Sequence, residues 1–130
     1  MQLAHIALLV DDYDEAIAWF ERCLGFGVAR DEVLPEGKRW VVVAPPGGGC
    51  SLVLAKAANT RQRVSVGNQF GGRVGLFLHC ANLDAALERL REHDVRIEGA
   101  PRAEPYGRVA VFRDHWGNRW DLVEAVGNIY

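Results

Sequence analysis

The sequence predicts an α+β fold of two tandem βαβββ modules whose strands form a cup-shaped mixed β-sheet. Three observations carry that expectation. The chain repeats itself at an offset of 70 residues, each copy begins as a strand that turns into an amphipathic helix, and each closes on a strand pair joined through glycine. At 130 residues it is long enough for one core and short for two conventional domains. Within one domain the repeat places a first module at about 1–56, a linker at about 57–72 and a second module at about 73–126.

LAHIALLVDDYDEAIAWFERCLGF, from Leu3, lies over RVGLFLHCANLDAALERLREHDV, from Arg73, with Asp14 on Asp84 and Ala16 on Ala86. The runs Leu3 to Val10 and Val74 to His79 are short, branched and apolar, and each stops at a polar pair, which reads as a strand. Asp12 and Asn82 then serve as helix N-caps, with Glu15 three residues after Asp12 as in a capping box. The first helix shows an apolar stripe at Tyr13, Ala16, Ile17, Phe20 and Leu24, leaving Trp19 away from it. The second shows Leu83, Ala86, Leu87 and Leu90. Turns are expected near Leu24-Gly25 and His93-Asp94.

RWVVVAPPGGGCSLVLA, from Arg39, resembles GRVAVFRDHWGNRWDLVEA near Arg108, and both read as two strands around a glycine turn. Helices covering one face of each sheet leave the other face free, and two such cups enclose a cleft for a small molecule. The stretch from Lys56 to Gly72 is polar and reads as a connector beside that pocket. APRAEPY, ahead of the penultimate strand, reads as a loop able to close over it.

Composition narrows the partners. With 49% hydrophobic and 25% charged residues the chain reads as a folded soluble protein. The net charge of −2, spread along the chain, offers no basic footprint for nucleic acid or an anionic membrane. The N-terminal apolar run lacks a basic flank and is cut by Asp11 and Asp12, so neither a signal peptide nor a membrane span is expected, and the predicted location is cytoplasmic. Cys23, Cys50 and Cys80 are odd in number and lack CxxC spacing, which argues against a disulfide framework or a structural zinc site.

In element order and motifs the chain resembles the vicinal oxygen chelate superfamily, which includes glyoxalase I, bleomycin-resistance proteins, fosfomycin-resistance enzymes and extradiol dioxygenases. HIALLVDDYDEAIAWFERCLGF carries the resemblance at the start, and FRDHWGNRWDLVEA, similar to the family's DPxGNxxEL signature, carries it at the end. The resemblance implies a metal site with ligands from the first and last strands of each half. His5 stands at the first such position and Asp121, one methylene shorter than the usual glutamate, at the last. The repeat offset puts Gly75 under His5 and Leu52 or Val53 under Asp121, and none of these ligates through a side chain. Two ligands are fewer than a catalytic centre generally uses. His79 and Glu124 are poor substitutes, because four residues along a strand is roughly 13 Å and Glu124 alternates away from Asp121.

The function expected from these positions is a glyoxalase/bleomycin-resistance-like protein that binds a small metabolite without an intact classical metal site. The alternative is a lyase, isomerase or dioxygenase acting on a carbonyl-bearing or oxygen-chelating substrate through a divalent ion, Zn, Ni, Mn or Fe. His5 and Asp121 are the candidate catalytic pair, as metal ligands or as a proton relay, although a strand histidine serves as readily in simple structural pairing. Trp40 and Trp120 are candidates for stacking on a ligand, with core packing as the plain alternative. His79, Tyr106 and Arg102 complete the candidate ligand-binding set, Arg102 as a clamp for an anion. The family's habit of pairing implies a homodimer.

Overall fold

The computed structural model describes residues 1–126. The chain divides after Gln69 into two compact units. In the first, β1 (His5–Val10) leads into α1 (Tyr13–Trp19), which runs on as a π-helical stretch, Phe20–Leu24. Asp12 caps α1 through its side chain, which accepts the Glu15 N–H at 2.8 Å. Gly25 ends the helix at φ 67°, a left-handed conformation that suits a residue without Cβ. Then follow β2 (Gly27–Val33), β3 (Arg39–Ala44) and β4 (Ser51–Lys56). The strand order is β1-β4-β3-β2, with β1 parallel to β4 and the remaining pairs antiparallel. Val41, Val42 and Val43, on interior strand β3, are all buried. Edge strand β2 is exposed along its length and carries three consecutive charged residues, Arg30, Asp31 and Glu32, which discourage pairing with other chains.

The buried positions of the first helix are Ala16, Trp19, Phe20 and Cys23. Trp19, expected off the apolar stripe, is 4% exposed and meets Phe20 edge-on, while Phe20 leans on Phe26 at 5.2 Å. Both candidate stripes share Ala16 and Phe20. The helix is turned toward its bulkier flank, where Trp19 removes more apolar surface from water than Tyr13 or Ile17 would.

The segment expected as a plain connector is partly structured. Asn59 caps α2 (Thr60–Ser65) by accepting the Gln62 N–H at 2.9 Å. Gln69 then lies along β1, donating to the Ala7 carbonyl at 2.7 Å and accepting the Leu9 N–H at 2.9 Å. Its amide supplies the edge of β1 with one donor and one acceptor in place of a neighbouring strand.

The second unit repeats the plan with β5 (Val74–His79), α3 (Leu83–Glu92), β6 (Ile97–Glu104), β7 (Gly107–Arg113) and β8 (Arg119–Ala125), ordered β5-β8-β7-β6 with β5 parallel to β8. Leu83, Leu87 and Leu90 are buried as their spacing predicts. The repeat extends to an ion pair from sheet to helix: Arg39 reaches Asp14 at 2.9 Å, and Arg108 reaches Asp84 at 3.0 Å. The mixed α+β architecture of two βαβββ units is the one expected. APRAEPY is a correction: Arg102 lies within strand β6, and only Pro105 and Tyr106 separate β6 from β7. As an edge strand with few apolar residues and a register shift between Glu98 and Arg102, β6 carries no alternating pattern to read. Among the described residues no helix is long and apolar enough to cross a membrane.

The turn from β7 to β8 is organised by Asp114, which is 6% exposed. Its Oδ1 accepts the N–H groups of Trp116, Gly117 and Asn118 at 3.1, 3.0 and 2.9 Å. Its Oδ2 accepts the Asn118 Nδ2 and Trp120 Nε1 donors, both at 3.0 Å. Removing that carboxylate takes an acceptor from five donors, of which the Gly117 N–H keeps the Asp114 carbonyl at 3.1 Å. Asp114→Ala is therefore expected to cost about 3 kcal/mol or more, read as the change in unfolding free energy in urea. A loss below about 1 kcal/mol would show that water replaces the carboxylate without penalty.

Candidate functional site

Strand alternation gives each sheet a helix-bearing face and an opposite face. In the second unit α3 is tied to the face of Arg108 and Glu124, since Asp84 pairs with Arg108 and Glu124 accepts the Leu83 N–H at 2.7 Å. Trp120 and Leu122 share that side. Trp120 is 3% exposed, stacks on Phe112 at 5.5 Å and gives its indole N–H to Asp114. It is a core residue, not the ligand-stacking surface expected of it.

The opposite face carries Asp121. Its register partners are Phe77 on β5 and Val111 on β7, and next along lie His79, Val123, Val109 and Arg102. Besides Trp120, four of the expected residues thus belong to this one unit: Asp121, Arg102 and His79 share the face, and Tyr106 sits in the adjoining turn. Asp121 is 7% exposed, with Oδ1 lacking any hydrogen-bond partner. The nearest cation, Arg102, holds its Nη2 3.9 Å from Oδ2, beyond hydrogen-bond reach, while its Nε donates to Glu104 at 2.9 Å. Glu104, and after it Tyr106 and Asp121, hold the Arg102 guanidinium more firmly in its charged form. Farther along the face Glu98 accepts from Arg119 Nε at 2.8 Å and from Arg113 Nη2 at 3.2 Å.

In the first unit β1 places His5 at an exposed position, and its ring meets Trp40 edge-on at 6.1 Å between centroids. Trp40 is 36% exposed and available for stacking. His5 and Asp121 belong to different units, so neither unit by itself contains the pair expected of them.

Whether these residues suit a divalent ion is decided at Gly75. A Cβ built there would meet the Phe70 ring 2.1 Å away, so the position under His5 is covered by an aromatic ring instead of carrying a ligand. Register pairs Val53 with Ala7 and Val42 as Asp121 pairs with Phe77 and Val111, making Val53 the apolar counterpart of Asp121. Among the described residues no three His, Cys, Asp or Glu side chains gather where they could hold a metal. Neither Gly75 nor Val53 offers a side-chain ligand at the position that repeats His5 or Asp121. Phe70, Phe77, Glu104 and Asp114 escaped the sequence reading. Only Asp114 left a signal there, in the DHWGN turn.

Residues 2–122 match the model of the Glyoxalase/Bleomycin resistance protein/Dioxygenase superfamily. The chain is 44% identical over 124 residues to an uncharacterized protein of Shewanella frigidimarina (strain NCIMB 400), covering 94% of this chain and 92% of that one. Among solved structures it is similar to UcmS2, with 32% identity, a TM-score of 0.82 and coverage of 96% and 98%. It is also similar to TnmS3, an antibiotic binding protein from Streptomyces sp. CB03234, with 31% identity, a TM-score of 0.76 and 97% of each chain covered.

Two outcomes follow from this geometry. Gly75→Ala should destabilise the protein by about 1–3 kcal/mol through collision with Phe70, and adding Phe70→Ala should recover part of that loss. Thermal midpoints of the two single variants and the double variant check it, and strict additivity would refute the contact. Arg119, with Arg113, holds the Glu98 carboxyl below its usual value of 4.5. A carboxyl lowered on folding contributes stability above its unfolded value and loses it as pH falls through the folded value. Urea unfolding from pH 6 down to pH 3 should therefore show a steeper loss for the parent protein than for Glu98→Gln.

Proposed function

Because this chain belongs to the Glyoxalase/Bleomycin resistance protein/Dioxygenase superfamily, we propose that it is a small-molecule-binding protein that holds its ligand without a metal ion. The observation that carries this reading is the Phe70 ring over Gly75, which fills with packing a position where a metal site would need a ligand. The similarity to the antibiotic binding protein TnmS3 supports a small organic ligand. Two sheet faces offer suitable chemistry: one presents Trp40 beside His5, the other Phe77 beside Asp121 and Arg102. Exposed aromatics supply flat contact area at low conformational cost, and a few polar groups fix orientation.

The competing reading is a metal-dependent lyase, isomerase or dioxygenase. It asks for a third ligand and for a divalent ion that stabilises the folded chain.

A panel of aromatic antibiotics titrated against intrinsic fluorescence tests the proposal. At least one compound should quench tryptophan emission equally with and without chelator, and Trp40→Ala should weaken that compound about tenfold, the equivalent of 1.4 kcal/mol. The thermal midpoint should not move with Zn²⁺, Ni²⁺, Mn²⁺ or Fe²⁺. A chelator-reversible rise of several degrees, or a turnover that chelator abolishes, would overturn the metal-free reading.

A further inference from the structure

We propose that Asp121 is the docking point for a primary ammonium group on a ligand whose flat apolar body lies against Phe77. The inference deepens the small-molecule reading above and rests on it. It starts from a carboxylate whose surroundings are incomplete. Asp121 is 7% exposed, yet no donor hydrogen-bonds its Oδ1. Burying a charged group is costly unless hydrogen bonds and counter-charge replace its water.

The arginines of this face give their carboxylate hydrogen bonds to other acids. Arg102 bonds Glu104 and stays 3.9 Å from Asp121, while Arg119 and Arg113 both converge on Glu98. Around Asp121 two carboxylates, its own and that of Glu104, share one guanidinium. The local balance therefore favours one more cation with N–H donors. An ammonium is compact, carries three donors, and can approach one oxygen without the planar, two-pronged space that a guanidinium needs. The carboxylate's broad χ2 torsion lets either oxygen turn to meet it.

Phe77 supplies the second half of the site. It is the register partner of Asp121 on the neighbouring strand, shares its face, and is 59% exposed, unusual for a phenylalanine. Its ring offers a surface for an apolar body and a negative π-face that attracts a cation. An aromatic amine-bearing ligand would use both groups at once, because cross-strand neighbours stand about 5 Å apart.

The test uses the full chain labelled with ¹⁵N and two probes, benzylamine, which is an ammonium at pH 7, and benzyl alcohol. Benzylammonium should shift the amide signals of Phe77 and Asp121 and bind about tenfold tighter than the alcohol. In Asp121→Asn, which keeps the shape and one acceptor oxygen, the preference should vanish. Phe77→Ala, at an exposed position, should weaken both probes, the ammonium at least as much as the alcohol, and serves where Asp121→Asn fails to fold. Equal binding of the two probes, no shift with either, or a preference that survives Asp121→Asn would overturn the proposal. If an antibiotic still quenches Trp40 independently of chelator while benzylammonium shows no preference, the binding function stands and this subsite does not.

Discussion

Each unit depends on one pairing, the parallel alignment of its first strand with its last. Chains can join parallel neighbours only through a crossover, so β1 has to pass through α1, β2 and β3 before β4 can lie beside it, from His5 opposite Ser51 to Val10 opposite Lys56. The same holds for β5 and β8. That route puts the helix on one face and makes β4 and β8 interior strands, the places where a side chain is hardest to hydrate. Asp121 is buried on interior strand β8 between Val111 and Phe77, and Phe77 stands beside it because β5 is the parallel neighbour. The pairing thus sets the chemistry of the face as well as the fold.

Much of this architecture was legible in the sequence because its signals are local and repeated. Asp12 and Asn82 cap helices where a side-chain oxygen is needed, and Leu83, Leu87 and Leu90 face the core at helical spacing. What escaped depends on partners distant in sequence. Trp19 and Ile17 flank the same helical stripe, and packing partners, Phe20 and Phe26 among them, decide which flank turns inward. Arg102 sits in an edge strand, which buries too little to impose alternation, so its polar run reads as a loop. Trp120 looked available because aromatic residues in strands serve either face, and the acceptor that turns its indole inward, Asp114, is six residues away across a turn.

The candidate site divides along the same line. His5, Asp121, Arg102, His79 and Tyr106 are chemistry-bearing residue types, and their types alone single them out. The contacts that determine what they do come from residues with no such signature. Phe70 is an ordinary apolar residue at the edge of a glycine-rich stretch, yet its ring over Gly75 removes a ligand position. Glu104 is one acid among many, yet it takes the hydrogen bond from Arg102 that Asp121 lacks.

The second unit also contains its own control for that incompleteness. Glu98 lies on the same sheet and receives hydrogen bonds from two arginines, Arg119 and Arg113. Asp114 shows how fully this chain can satisfy a buried carboxylate, with five donors around it. Folding therefore does not oblige Asp121 to remain short of partners, since the same strands solve the problem twice. A carboxylate left with an unbonded oxygen beside an exposed phenylalanine costs stability that its neighbours avoid. Local rules are broken chiefly where something outside the fold completes them. A ligand donor at Asp121 would restore what the fold withholds, and the energy recovered would appear as affinity.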